Sequence, residues 1–206
     1  MTYFLGKLTT NFQNLTHVNL SNNNITNLPK NFGTLPCVQW LDLSHNRLGI
    51  RDQYKWLWIE QFAIQKSLIF LNISYNLLKE LPVYIDKLYT LRELNISHNM
   101  LQRLPNIKNL QNLKSLDASY NWLLYLPTTL FVNQRLRTLD ISMNSFLSTD
   151  IVYLQHTIGE YNVIPSLVEL SANTLLNHRF VAITFIYHFH SCVIFINFLR
   201  FENIFS

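Results

Sequence analysis

Leu15-Thr16-His17-Val18-Asn19-Leu20-Ser21-Asn22-Asn23-Asn24-Ile25-Thr26-Asn27-Leu28-Pro29 is written six times in this chain with small changes. The other copies start at Val38, Leu68, Leu91, Leu113 and Leu136, and their fixed Asn residues are Asn23, Asn46, Asn76, Asn99, Asn121 and Asn144. With the first Leu as position one, positions four and six lie two apart, the spacing of inward side chains on a short strand. Positions one, eleven and fourteen supply further apolar groups to the same interior. One unit cannot bury them alone, so neighbouring units must stack. Each interior Leu is worth roughly 1.5–3 kcal/mol when buried, which drives the stacking. The Asn at position nine turns the chain out of the strand, and its amide can satisfy turn groups that would otherwise be buried unpaired.

This repeat resembles the leucine-rich-repeat pattern. It implies an α/β solenoid, with a curved parallel sheet on the concave side and helices or turns on the convex side. The starts are separated by 23, 30, 23, 22 and 23 residues. Leu-Pro closes four units, at Leu28-Pro29, Leu81-Pro82, Leu104-Pro105 and Leu126-Pro127. The second and sixth units lack it, and both are long, with inserts near 49–67 and 148–163. In the first insert Tyr54, Trp58 and Phe62 recur at helical spacing, which predicts a convex-side helix packed on the core. A second helix is expected around Asp150–Tyr161.

The domain reading follows. Residues 1–14 look like the remnant of a preceding repeat, with Leu5 and Phe12 in the places of Leu81 and Leu88, so the chain is expected to be part of a longer protein. Residues 15–163 hold the six repeats, 164–179 a degenerate last repeat or a helix, and 180–206 an apolar tail. That tail, centred on Phe180–Leu199, is long enough to span a bilayer. His188, His190 and Asn197 near its middle argue against a span, so the tail is read as aberrant, unselected sequence.

Composition excludes several classes of function. The 16 Lys and Arg against 12 Asp and Glu leave a net charge of +4 without a basic run, so no nucleic acid partner is expected. Two cysteines, Cys37 and Cys192, cannot build a disulfide framework. The N-terminus has no secretory signal, and an intracellular location, nucleus or cytoplasm, is expected. With 4 Gly in the chain there is no phosphate-cradling loop. The Asp and Ser columns lack a positioned base, so no catalytic residue is expected. His188-x-His190-x-Cys192 lacks a second ligand pair, and neither metal nor cofactor is expected.

A binding surface is the better expectation. Positions three, five, seven and eight are read as pointing away from the core. Positions five and seven are uniform columns of Asn or Asp and of Ser, and receive a structural reading. Position three varies through His17, Trp40, Phe70, Glu93, Ser115 and Thr138. Position eight varies through Asn22, His45, Tyr75, His98, Tyr120 and Met143. Trp40, Phe70, Tyr75, His98 and Tyr120 are therefore the expected partner-binding residues of the concave face.

A second resemblance lies beyond the sixth unit. Pro165-Ser166-Leu167-Val168-Glu169-Leu170-Ser171-Ala172, continuing to Leu175, places Leu167, Ser171 and Leu175 on one helical face. It is similar to the elongin-binding box of leucine-rich-repeat substrate receptors of cullin-2 RING ubiquitin ligases. The resemblance implies that these three residues contact elongin C and that the protein is a non-enzymatic substrate receptor. No Pro follows Pro165, so the cullin-contacting segment of that family is missing and cullin recruitment is not expected. The rival readings are a general intracellular scaffold for a small GTPase or kinase, and a membrane-tethered binding module.

Overall fold

The computed structural model describes residues 12–50, 56–130, 133, 135–145 and the backbone of 181–188 and 191–198. Each repeat contributes one short strand: β1 (His17–Asn19), β2 (Trp40–Asp42), β3 (Phe70–Asn72), β4 (Glu93–Asn95), β5 (Ser115–Asp117) and β6 (Thr138–Asp140). They pair in parallel and in sequence order, always position three against position three, from His17 beside Trp40 to Ser115 beside Thr138. The 30-residue step between the second and third units leaves this register unchanged.

The interior is the apolar set read from the repeat. Val38, Leu41, Leu43, Leu68, Leu71, Ile73, Leu91, Ile96, Leu113, Leu136 and Leu139 are fully buried. Fixed Asn residues stitch the stack together. Asn99 Nδ2 donates to the carbonyls of Ile96 and Ser97 in its own turn and of Ile73 in the preceding unit, at 3.1, 3.1 and 3.0 Å. Its Oδ1 accepts the Leu78 amide at 3.1 Å. Asn46, Asn76, Asn121 and Asn144 repeat this arrangement. Each is thus a four-bond rivet between units, and buried polar groups need such pairing.

On the convex side Pro29, Pro82 and Pro127 open 3-10 turns, donating no amide and accepting from Phe32, Ile85 and Leu130. Leu104-Pro105 is not followed by such a turn; the chain there bends at Ile107–Leu110 instead.

The first insert differs from the expectation. Its helix is short, Phe62–Ser67, and Phe62 at its start is 68% exposed rather than packed inward. Trp58 is buried, but with Trp56, which stacks on it at 5.7 Å, and with Phe32, which meets it edge-on at 6.1 Å. The insert therefore thickens the core through a Trp pair ahead of the helix. Gly33 permits this: a Cβ there would stand 1.8 Å from the Trp58 carbonyl oxygen. Tyr54, the second expected helix at 150–161 and residues 1–11 lie outside the described residues.

Part of the apolar tail forms a hairpin of β7 (Val181–His188) and β8 (Ser191–Phe198). β8 pairs antiparallel to β6, Thr138 opposite Phe195, and so covers the far edge of the parallel sheet. Among the described residues no helix is long and apolar enough to cross a membrane.

Candidate functional site

Position seven does not point outward. Ser44, Ser74, Ser97, Ser119 and Ser142 are buried. The strand ends at position five, so period-two alternation does not carry through the turn. The Ser74, Ser97 and Ser119 hydroxyls and amides both donate to the side-chain oxygen of position five in their own unit, at 2.7–3.1 Å. Asp42 and Asp140 accept the position-seven amide in the same way. These Asx turns account for both uniform columns.

Position eight is the surprise. Asn22, His45, Tyr75, His98, Tyr120 and Met143 all hold φ between 51° and 55°. That left-handed conformation costs a non-glycine residue roughly 1–2 kcal/mol. It is held by neighbours: the His45, Tyr75, His98 and Tyr120 amides each donate to the position-seven carbonyl of the next unit at 3.0–3.1 Å. Identical backbone at identical pitch lays the rings on one another. His45 on Tyr75, Tyr75 on His98 and His98 on Tyr120 have centroids 4.1, 4.0 and 4.2 Å apart, tilted by about 10°. Tyr75 is 45% and Tyr120 48% exposed.

A second column runs along position three on the strands. Trp40 and Phe70 stack at 5.0 Å and 7°, and His17 approaches Trp40 at 6.1 Å. Both Trp40 and Phe70 are half-buried. Of the five residues expected from the sequence, Trp40 and Phe70 stack in one column and Tyr75, His98 and Tyr120 in the other. His45 completes the rim column and His17 extends the strand column, although neither was singled out; the variable composition of positions three and eight carried the signal. Leu167, Ser171 and Leu175 lie outside the described residues.

Chemically the columns offer ring edges, phenol and imidazole groups, and apolar faces at their open ends. A cleft of about 680 Å³ lies away from them, lined by Gly49, Trp56, Leu78, Pro82, Arg103 and Tyr125 among others. Among the described residues no group of three His, Cys, Asp or Glu could hold a metal ion.

Family models of the leucine-rich repeat match residues 6–48 and 90–110. Together with the one-strand-per-unit parallel sheet, that decides the fold. It is a leucine-rich-repeat solenoid. The leucine-rich repeats of this chain are similar to those of two solved structures. One is a leucine-rich-repeat protein of Leptospira interrogans, with a TM-score of 0.59, 27% identity, and cover of 71% of this chain and 36% of that one. The other is TLR13 in complex with ssRNA13, with a TM-score of 0.57, 27% identity, and cover of 66% and 19%. A curated adenylate cyclase of Podospora anserina is 35% identical over 134 residues, 64% of this chain. This chain spans only 6% of the cyclase's length. Leucine-rich-repeat solenoids typically serve as binding scaffolds rather than enzymes.

Proposed function

We propose that the protein is a protein-recognition module whose partner docks on the two aromatic columns. One observation carries this reading: Trp40–Phe70 and His45–Tyr75–His98–Tyr120 form continuous, solvent-reaching stacks, and solenoids generally use such extended surfaces for recognition. Such rings are costly left in water and typical of binding hot spots. Comparing the proteins captured by wild type and by the Trp40→Ala/Phe70→Ala double variant tests it. Loss of specific captures with an unchanged circular dichroism spectrum is expected; an identical set of captures overturns the reading.

The finer part of the proposal concerns what the captured protein is for. The Ser166-Leu167 to Leu175 segment supports a substrate receptor of a cullin-RING ubiquitin ligase, working in the nucleus or cytoplasm with elongin C as its partner. Support comes from the sequence pattern following directly on the repeats. Elongin should co-purify with wild type and be lost with Leu167→Ala. If wild type retains no elongin, the module is a scaffold without a ligase.

A further inference from the structure

The sheet changes character half-way along. In β1–β3 position three is His17, Trp40 and Phe70, and position two is Thr16, Gln39 and Ile69. In β4–β6 position three becomes Glu93, Ser115 and Thr138, while position two becomes Arg92, Lys114 and Arg137. All three cations are exposed. They are next-door neighbours: the Lys114 amide donates to the Arg92 carbonyl at 2.7 Å and the Arg137 amide to the Lys114 carbonyl at 2.8 Å. Among the described residues Arg103 pairs with Glu80, and none of the three cations is seen with an acidic partner within 4 Å. Arg135, two residues before Arg137, is exposed too and bonds the Asn112 carbonyl oxygen of its side chain.

We infer that the row Arg92–Lys114–Arg137 receives an acidic peptide segment of the same partner that seats an apolar anchor on Trp40 and Phe70. The inference rests on the recognition reading above and adds the partner's chemistry. Strands in a sheet lie about 4.8 Å apart, so three like charges are held within roughly 10 Å along the sheet, a mutual repulsion that counter-charges relieve. Carboxylates three or four apart on a helix are separated by about 5–6 Å and suit this pitch. A peptide is favoured over a nucleic acid because the cations share their units with carboxylates. Glu93 is exposed beside Arg92, and Asp117 and Asp140 follow three residues along the same units. A phosphate backbone crossing the units would meet all three carboxylates, whereas a short acidic segment running along the row would meet Glu93 alone.

The test uses the full chain and three labelled probes: a peptide with a Trp-Leu-Phe anchor followed by a Glu/Asp run, its Gln/Asn counterpart, and a single-stranded RNA of similar length. Fluorescence anisotropy should show the acidic peptide binding about tenfold or more tighter than the neutral one. The difference should shrink as salt shortens the Debye length from about 10 Å at 0.1 M to about 3 Å at 1 M. Arg92→Glu/Lys114→Glu/Arg137→Glu should erase the difference, and the Gln triple variant should do the same if charge reversal disturbs folding. Trp40→Ala/Phe70→Ala should weaken both peptides alike. Equal affinity for the two peptides overturns the inference and leaves the aromatic reading standing. Binding of neither peptide overturns both, and RNA binding that the acidic peptide cannot displace overturns the inference in favour of a nucleic acid.

Discussion

Asn99 shows how much one side chain can hold. Asn99→Ala leaves the buried Leu78 amide without its acceptor and takes one of two donors from each of the Ile73, Ile96 and Ser97 carbonyls, which keep Asn76, Asn121 and the Tyr75 amide. One buried amide left unsatisfied costs about 1–3 kcal/mol, and the three weakened carbonyls add to it, so a loss of about 2–3 kcal/mol is expected in urea denaturation. Asn23→Ala should cost nearer about 1 kcal/mol, because Asn23 is half-buried and its amide donates to Leu20 and Ser21 of its own turn. Tyr75 tests the opposite balance. Tyr75→Gly gives up two ring contacts worth about 0.5–1.5 kcal/mol each and relieves a left-handed residue by about 1–2 kcal/mol. Its stability should therefore stay within about 1 kcal/mol of wild type, while Tyr75→Ile, β-branched at positive φ, should be clearly destabilised. The sequence displayed the rivet, since an Asn recurring next to an apolar strand has few other uses. It did not display the left-handed turn. Asn22, His45 and His98 are types that visit the conformation more often than most, but Tyr75, Tyr120 and Met143 in the same column conceal it.

Elements in this fold are short, and the short ones were the harder to read. Three-residue strands leave no room for alternation beyond position five, which is why the Ser column was read outward when it folds back on its Asx partner. The insert departs from its periodicity for a related reason. Tyr54, Trp58 and Phe62 have helical spacing, yet Trp58 is buried ahead of the helix by stacking on Trp56 under Phe32, and no periodic pattern marks such a pair. The close approach at Gly33 makes this packing testable. Gly33→Ala pushes a methyl into the Trp58 carbonyl and should cost about 1–3 kcal/mol or more. The near-ultraviolet circular dichroism of the buried Trp pair should change with it. Hairpin β7–β8 was illegible for another reason: a mostly apolar run has no regular polar alternation, and no Gly, Pro or Asn separates His188 from Ser191.

Across the molecule, stability follows the stacking. Each unit touches its neighbours, and burial is tighter further along the array; Val18 keeps 7% exposure where Leu41 and Leu71 keep none. Amide exchange should therefore be faster in β1 than in β3–β5, as in other quasi-one-dimensional arrays. Uniform protection across the six strands would contradict that picture. The solenoid class and most of its core were legible because one pattern is repeated six times and errors in one copy are corrected by the others. The candidate site was half-legible: the columns could be listed by position, but their stacking and the burial of their Ser neighbours depend on turn geometry that no single unit encodes.

The constant register has a consequence for engineering. Because the 30-residue step is absorbed behind the sheet, strand number alone sets the distance between surface features, like teeth on a rack. Excising residues 91–112 would join β3 directly to β5, set Phe70 beside Ser115, and shorten the cationic row by one tooth while keeping every ladder bond type. Duplicating the same 22 residues would lengthen it. Reach along the recognition face is therefore adjustable in whole-unit increments, independently of what each unit carries on its back.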